Sequence, residues 1–212
     1  MSGLNRKGIF ISFEGIEGSG KTTMTRFIAE MLMTDGYEVL STYEPGGTKI
    51  GQKIRDILLL PEHKEMNYLT ELLLYNAARS QHLKEKILPA LESGKIVITD
   101  RFSDSTIAYQ GYGRGIELPL IMSLDYIVTG GLKPDITILL DVDIGTGLMR
   151  NKGINKIDRL ELEDIEFHRK VMNGYRRIAG EEPGRVKIID ASLPIERVIE
   201  DTRNIIKNAL IC

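Results

Sequence analysis

Apolar residues along this chain follow two alternating rhythms. Short, nearly unbroken runs have the length and β-branched content of buried strands: Gly8-Ile9-Phe10-Ile11-Ser12-Phe13, Val39-Leu40-Ser41-Thr42-Tyr43, Lys95-Ile96-Val97-Ile98-Thr99, Asp135-Ile136-Thr137-Ile138-Leu139-Leu140 and Arg185-Val186-Lys187-Ile188-Ile189. Between them the apolar positions recur every three or four residues. That spacing predicts helices over about 20–35, 49–60, 67–92, 117–129, 144–151, 160–179 and 194–209. Asp35-Gly36 and Ser93-Gly94 have the form of helix stops, and Pro89, which has no N–H, is expected to kink or interrupt the long third helix.

Strands alternating with helices specify an α/β fold in three layers, a five-stranded parallel sheet flanked by helices on both faces. Ligands of such sheets bind beyond the carboxyl ends of the strands. The segments that follow the strands are therefore where chemistry is expected, and the third, fourth and fifth strands each end at a carboxylate, Asp100, Asp141 and Asp190. No repeat, low-complexity tract or linker interrupts the 212 residues, so one domain is expected. One stretch departs from the rhythm. Arg150-Asn151-Lys152-Gly153-Ile154-Asn155-Lys156 is basic and poor in core residues, which predicts a loop over the site.

The first strand runs into Gly15-Ile16-Glu17-Gly18-Ser19-Gly20-Lys21-Thr22, followed by Thr23 and a helical pattern. This is G-x-x-x-x-G-K-T, the phosphate-binding loop of nucleoside triphosphate proteins, in its proper strand–loop–helix setting. Glycines 15, 18 and 20 let backbone N–H groups converge on phosphate oxygens, and the helix N-terminus adds its dipole. Lys21 is expected to reach the β- and γ-phosphates and the Thr22 hydroxyl to ligate Mg²⁺. The loop names the ligand, ATP or a like triphosphate, but not the reaction.

Further polar groups follow the other strands. Asp100 stands at a strand end where a carboxylate can hold Mg²⁺ beside a phosphate loop, and Arg101 carries a planar guanidinium that can grip phosphate bidentately. Glu44-Pro45-Gly46-Gly47-Thr48 permits close backbone approach, with Thr48 placed to cap the next helix and Arg55 about two turns into it. Tyr75 and Arg79, four residues apart, share one helix face, an arrangement that can be core or can stack on a base and hydrogen-bond its edge. Ser105-Thr106-Ile107-Ala108-Tyr109-Gln110-Gly111 gathers hydroxyls, an amide and a ring into one segment; read plainly it is a polar helix start followed by a glycine-rich loop. His63, His82 and His168 lack metal-ligand spacing and read as structural or surface residues.

Composition narrows the setting. A net charge of −2, with 27% charged residues, makes no global case for nucleic acid or an anionic membrane. The single cysteine, Cys212, allows no intramolecular disulfide and reads as an exposed tail, which suits a reducing compartment. No apolar run is long enough to span a bilayer, and Met1 to Lys7 has no signal-peptide core, so the cytoplasm is expected.

Taken together, these segments resemble the thymidylate kinases, which phosphorylate dTMP to dTDP with ATP. The resemblance covers nearly the whole chain. It rests on the phosphate loop, on Glu44-Pro45-Gly46-Gly47-Thr48, on Tyr75-Asn76-Ala77-Ala78-Arg79, and on Asp100-Arg101-Phe102 running through Ser105 to Ala108-Tyr109-Gln110-Gly111. It implies a phosphate-loop fold with a small mobile lid at about 148–160 and Mg²⁺ accompanying ATP. It also implies a homodimer. By the same resemblance Tyr75 stacks on the thymine, Arg79 hydrogen-bonds it, and Ser105, Thr106 and Gln110 belong to the segment reading its other edge. Tyr109 packs under the deoxyribose, against a 2′-hydroxyl. Glu17 lies near the sugar 3′-hydroxyl and the metal, and Arg55 and Arg101 hold the acceptor phosphate. Because the phosphate loop holds no arginine, the arginine of the transition state is expected from the lid, with Arg150 and Arg159 as candidates. Tyr43 stands where many relatives carry an arginine.

Two rival readings share parts of this pattern, another nucleoside monophosphate kinase with a different base pocket, and a nucleotide-driven switch ATPase. Asn155-Lys156-Ile157-Asp158 matches the N-K-x-D guanine-reading motif of GTPases. It follows a basic loop rather than an apolar strand, however, and the chain has no D-x-x-G, so the match reads as chance.

Overall fold

The computed structural model of the chain describes residues 8–152 and 158–211, with backbone alone described at 151, 152 and 211. The strands are β1 (Phe10–Glu14), β2 (Val39–Tyr43), β3 (Ile96–Asp100), β4 (Ile136–Asp141) and β5 (Val186–Asp190). They form one sheet in the order β2-β3-β1-β4-β5, with all pairings parallel. Every strand but β2 starts later than its apolar run; β3, β4 and β5 end at the acids expected, and β1 runs one residue further than expected, to Glu14. Main-chain pairing does not stop at a charged side chain. Phe13 and Tyr43 both register with Asp100, and Asp141 registers with Asp190. The acids at 14, 100, 141 and 190 thus close the strands at one edge of the sheet.

The central strands are buried on both faces, so their side chains sort by alternation. Ile11, Phe13, Ile96 and Ile98 point into the larger core, while Phe10 and Val97 point into a second cluster with Leu83, Ile87, Leu91 and Phe102. Helices α1 (Lys21–Thr34), α2 (Lys49–Leu59), α3 (Tyr68–His82), α4 (Leu88–Glu92), α5 (Ser103–Thr106), α6 (Leu118–Thr129), α7 (Ile144–Lys152), α8 (Ile165–Glu181) and α9 (Ile195–Ile211) cover the sheet. Side-chain caps start four of them; at α7 it is Asp143, whose Oδ2 accepts the Thr146 N–H at 3.0 Å. Thr48 accepts the Gly51 N–H at 2.9 Å, Asn67 that of Leu69 at 2.9 Å, and Asp164 that of Phe167 at 2.7 Å. Helix α1 is different. Its cap is Gly20 at φ 96°, with no side-chain bond, so its first N–H groups stay directed outward.

Three expectations are corrected here. The helix expected over 67–92 is helical throughout, and the accommodation to Pro89 lies in the preceding turn, Leu83–Ile87, which is π-helical. Widening that turn moves a carbonyl away from the proline ring. The segment after Asp100 is no glycine-rich loop, since α5 runs into a π-helical stretch, Ile107–Gly113. Gly111 and Gly113 serve close packing there. A Cβ would meet Leu118 Cδ2 at 2.6 Å at the first and Phe167 Cε2 at 2.7 Å at the second. The helix expected over 160–179 begins only at Ile165. Asp158 Oδ1 instead takes the N–H groups of Leu160 and Glu161 in a turn, and Asp164 then caps α8.

Candidate active site

A cleft of about 580 Å³ opens beyond the carboxyl ends of β1, β2 and β3. It brings Glu17, Gly18, Lys21 and Thr22 of the phosphate loop into one space with Asp100 and Arg101 of the β3 end. Tyr75, Arg79, Ser105, Thr106, Tyr109 and Gln110 line it on one side, and Arg55 lines it by the Tyr43-Glu44-Pro45 turn. Gly15, Ile16, Ser19, Gly20 and Thr23 lie outside that lining. Ile16 is core, Ser19 is buried, Thr23 is exposed, and Gly15 and Gly20 shape the loop at φ 139° and 96°. Gly18, at φ 70°, is required by crowding as well as conformation, because a Cβ there would sit 1.9 Å from the Gly147 carbonyl oxygen.

Lys21 Nζ folds back over the loop and donates to the Ile16 carbonyl at 2.7 Å. Burial, with the nearby Arg101 cation, lowers its pKa to about 8, against the opposing pull of Asp100, Glu17 and Glu14. Thr22 Oγ1 donates to Asp100 Oδ2 at 2.6 Å. Both groups line the cleft and both are hard oxygen donors. They fit a magnesium site completed by phosphate oxygens and water, since Mg²⁺ typically takes only one or two carboxylates. Among the described residues no group of three or more His, Cys, Asp or Glu forms a cluster able to hold a metal.

Arg101 is the one non-glycine residue at positive φ among those described, at 74°. Its turn brings the guanidinium back across the loop. Nη1 donates to the Gly15 carbonyl at 3.0 Å, Nη2 to Glu17 Oε1 at 2.8 Å, and the charge lies 4.9 Å from the Tyr109 ring centroid. Tyr109 also donates to Glu17 Oε1 at 2.7 Å. Burial alone would raise the Glu17 pKa, but Arg101 and Lys21 outweigh it and hold the carboxyl below its ordinary range. The other carboxylate oxygen, Oε2, is buried without a hydrogen-bond partner, 3.8 Å from Nδ1 of the fully buried His168.

Arg79, only 2% exposed, donates to Glu44 Oε2 at 2.8 Å and to Thr106 Oγ1 at 2.9 Å. His82 braces the same glutamate, bonding Glu44 Oε1 at 3.0 Å and Thr42 Oγ1 at 2.6 Å, so this histidine holds the Glu44-Pro45 turn in place. His63 sits on the surface against the Ile57 carbonyl. Arg55 donates to the Pro45 carbonyl at 2.8 Å and lies over the Tyr43 ring.

The structure does not bring the two lid candidates to the cleft. Arg150 donates to the Ala191 carbonyl at 3.0 Å and does not line the cavity. Arg159 is 5% exposed and turned away, donating to Glu71 Oε2 at 2.5 Å and to the Leu58 carbonyl at 3.1 Å. The reason is a carboxylate without which this arginine would be buried and unpaired. The middle of the expected lid, 153–157, with Asn155 and Lys156 of the N-K-x-D match, lies outside the described residues, as do Met1–Lys7 and Cys212.

Several functional groups escape sequence reading. Glu71 is fully buried and accepts from Gln110, Arg114 and Arg159. Its signal was spacing, because Glu71, Tyr75 and Arg79 repeat every four residues along α3. Glu14 is also fully buried, accepting from the Phe102 N–H at 2.7 Å, Ser105 Oγ at 2.6 Å and the Tyr175 hydroxyl at 3.0 Å. Burial and the nearby Asp104 raise its pKa to about 7, against the hydrogen bond from Ser105 and the charge of Arg101.

Comparison with known proteins gives the family and the fold. A family model described as thymidylate kinase matches residues 13–202. The thymidylate kinase of Bacillus licheniformis is 47% identical over 206 residues, covering 96% of this chain and 97% of that protein. The crystal structure of thymidylate kinase from Ehrlichia chaffeensis superposes with a TM-score of 0.77 at 38% identity, over 94% of this chain and 98% of that one.

Proposed function

The chain belongs to the thymidylate kinase family, and on that premise we propose how its residues divide the work of moving the terminal phosphoryl group of ATP onto dTMP. The products are ADP and dTDP. The observation that carries the reading is that one cleft joins Lys21 and Thr22 of the phosphate loop to a base-sized polar pocket lined by Tyr75, Arg79, Thr106 and Gln110.

The acceptor is a phosphate monoester, mostly dianionic at neutral pH because its second pKa is about 6. It needs no general base, so catalysis reduces to positioning and charge neutralisation. Lys21 leaves the Ile16 carbonyl to meet the β- and γ-phosphates. Arg101, tied to Glu17 and stacked on Tyr109, holds the acceptor phosphate, with Arg55 at its outer side. Thr22 and Asp100 would hold Mg²⁺, which when bound would neutralise charge on the triphosphate. Tyr75 stacks on the thymine, Arg79 donates to it, and Tyr109 lies under the deoxyribose. Arg150, which donates to the Ala191 carbonyl at the base of the lid, is the lid arginine we assign to the transferring group. Arg159 belongs to the scaffold.

We also propose a cytoplasmic homodimer. No helix among the described residues is long and apolar enough to cross a membrane. Helix α6 packs on α3, and their outward faces carry Leu69, Leu73, Leu120, Met122, Tyr126 and Ile127 exposed, an apolar surface suited to a second copy.

The test is coupled ADP release with Mg-ATP against dTMP, dUMP, UMP, CMP, AMP and GMP, with an acceptor-free control. Release led by dTMP, with dUMP well ahead of UMP, supports both the reaction and the place of Tyr109. Equal slow release in every tube removes the base-pocket assignments.

A further inference from the structure

We propose that Glu71 sets the hydrogen-bonding sense of the base pocket by fixing which way the Gln110 amide faces, so that the site accepts a pyrimidine whose ring nitrogen carries a hydrogen and rejects one whose ring nitrogen is a lone pair. The proposal rests on the dTMP reading above and adds to it a positioning residue outside the cleft lining.

Glu71 is 0% exposed, one turn before Tyr75 on α3. Two guanidiniums hold it, Arg114 through Nε at 3.2 Å and Nη2 at 3.1 Å, and Arg159 through Nη2 at 2.5 Å. Burial favours its neutral form, but the hydrogen bonds and charge of Arg114, with Gln110 and Arg159, outweigh burial and keep the carboxyl ionised. An ionised carboxylate can only accept. The Gln110 atom 2.8 Å from Glu71 Oε1 is therefore the amide nitrogen, and the carbonyl oxygen is turned the opposite way. Gln110 lines the cleft, so the end directed away from Glu71 is an acceptor.

Its neighbour in the pocket has the opposite character. Arg79 is a donor without acceptor capacity, already oriented by Glu44 and Thr106. Thymine and uracil present an N3–H beside carbonyl oxygens, which such an acceptor and donor complement. Cytosine presents a lone pair at N3 and an amino group at C4, so both contacts become like against like. A free glutamine would lose this distinction, because its amide can turn over and offer N–H instead. Glu71 removes that freedom, and its two arginines keep it charged enough to do so.

The experiment measures kcat/KM for dTMP and for 5-methyl-dCMP, which differ only at the N3/C4 edge, in wild type, Glu71→Gln, Glu71→Asp, Gln110→Ala and the Glu71→Gln/Gln110→Ala pair. In Glu71→Gln the preference for dTMP should fall by about 10-fold to 100-fold, chiefly through a lower KM for 5-methyl-dCMP. In the Gln110→Ala background the same change should move the preference less than about 2-fold, because Glu71 acts through Gln110. Glu71→Asp keeps the charge against both arginines but withdraws the carboxylate by one methylene, so it carries the same expectation should Glu71→Gln not fold. N3-methyl-dTMP, tested on wild type, should lose at least about 10-fold, since it has no N–H to give. A folded Glu71 variant with wild-type preference overturns the proposal, as does an equal shift without Gln110 or full activity with N3-methyl-dTMP. Absence of dTMP turnover in wild type would instead sink the reading on which it rests.

Discussion

Two clusters of buried charge border the same cleft and differ in how far their hydrogen bonds are satisfied. Around Glu71, both carboxylate oxygens are taken, by Gln110, Arg114 and Arg159, and Arg114 is further held by Glu163 and lies over the rings of Tyr68 and Phe167. Around Glu17, one oxygen has no hydrogen-bond partner, neither ring nitrogen of His168 has one, and Lys21 has turned back onto a main-chain carbonyl. Buried polar groups left unpaired cost free energy. A cluster that closes on itself serves as scaffold, whereas one that keeps donors and acceptors unspent is fitted to a ligand. The contrast separates arginines that sequence alone treats alike. Arg101 sits in the second cluster, bonded to Glu17 beside its unpaired oxygen, and Arg159 in the first.

The sharpest way to break the comparison is Lys21→Ala. Transfer should fall by about 10²–10³-fold, the usual worth of a preorganised charge contact of roughly 3–4 kcal/mol, while the melting temperature stays near that of wild type. Near-wild-type ADP release would show that the receptive cluster was misassigned. Arg159→Ala should do the reverse. Losing one partner of a buried carboxylate should lower the unfolding free energy by about 3 kcal/mol in urea titration, with turnover per folded molecule far less affected than in Lys21→Ala. A collapse of turnover at unchanged stability would return Arg159 to the catalytic role expected from sequence.

A third outcome concerns pH. Glu14 has a folded pKa of about 7 against an ordinary value of 4.5. Between those values the folded state holds the extra proton, so its contribution is full below the ordinary value and is lost as pH rises through about 7. Glu14→Gln, permanently neutral, should show a smaller fall in urea stability across that window than wild type does, and parallel curves would place the titration elsewhere. The smallest effect is expected from Tyr109→Phe, which removes the hydroxyl bonded to Glu17 and Arg101. A loss of about 1–2 kcal/mol in acceptor kcat/KM is expected, since the hydrogen bonds involve charged groups. Steady-state titration of dTMP reads it directly.

The fold was legible because its signals are local. Five apolar runs and the periodic segments between them name a parallel α/β sheet, and the strand–loop–helix setting identifies the phosphate loop. The groups lining the cleft were legible through motif resemblance, and Glu17, Lys21, Arg79, Arg101, Tyr109 and Gln110 do converge there. What escaped depends on pairing at long range. Glu71 and Arg159 are 88 positions apart, Glu14 and Tyr175 are 161, and no local pattern announces that a charge will be neutralised by so distant a partner. Helix type escaped for a related reason. The glycines after Gln110 look like loop formers until Leu118 and Phe167 are known to pack against them.

That π-helical stretch, Ile107–Gly113, bears on how this protein can change by insertion and deletion rather than by substitution. Each residue of an α-helix turns the chain by about 100°, and a π-turn holds one more residue than the α-turn it replaces. Removing a single residue between 107 and 113 could therefore be absorbed by tightening to an α-turn, with little cost to the surrounding fold. The side chains inside the shortened turn would nevertheless point elsewhere, while those beyond it keep their register. Tyr109 and Gln110 owe their direction to a locally overlong helix, so this is a place where a shorter chain could fold well and read the wrong base.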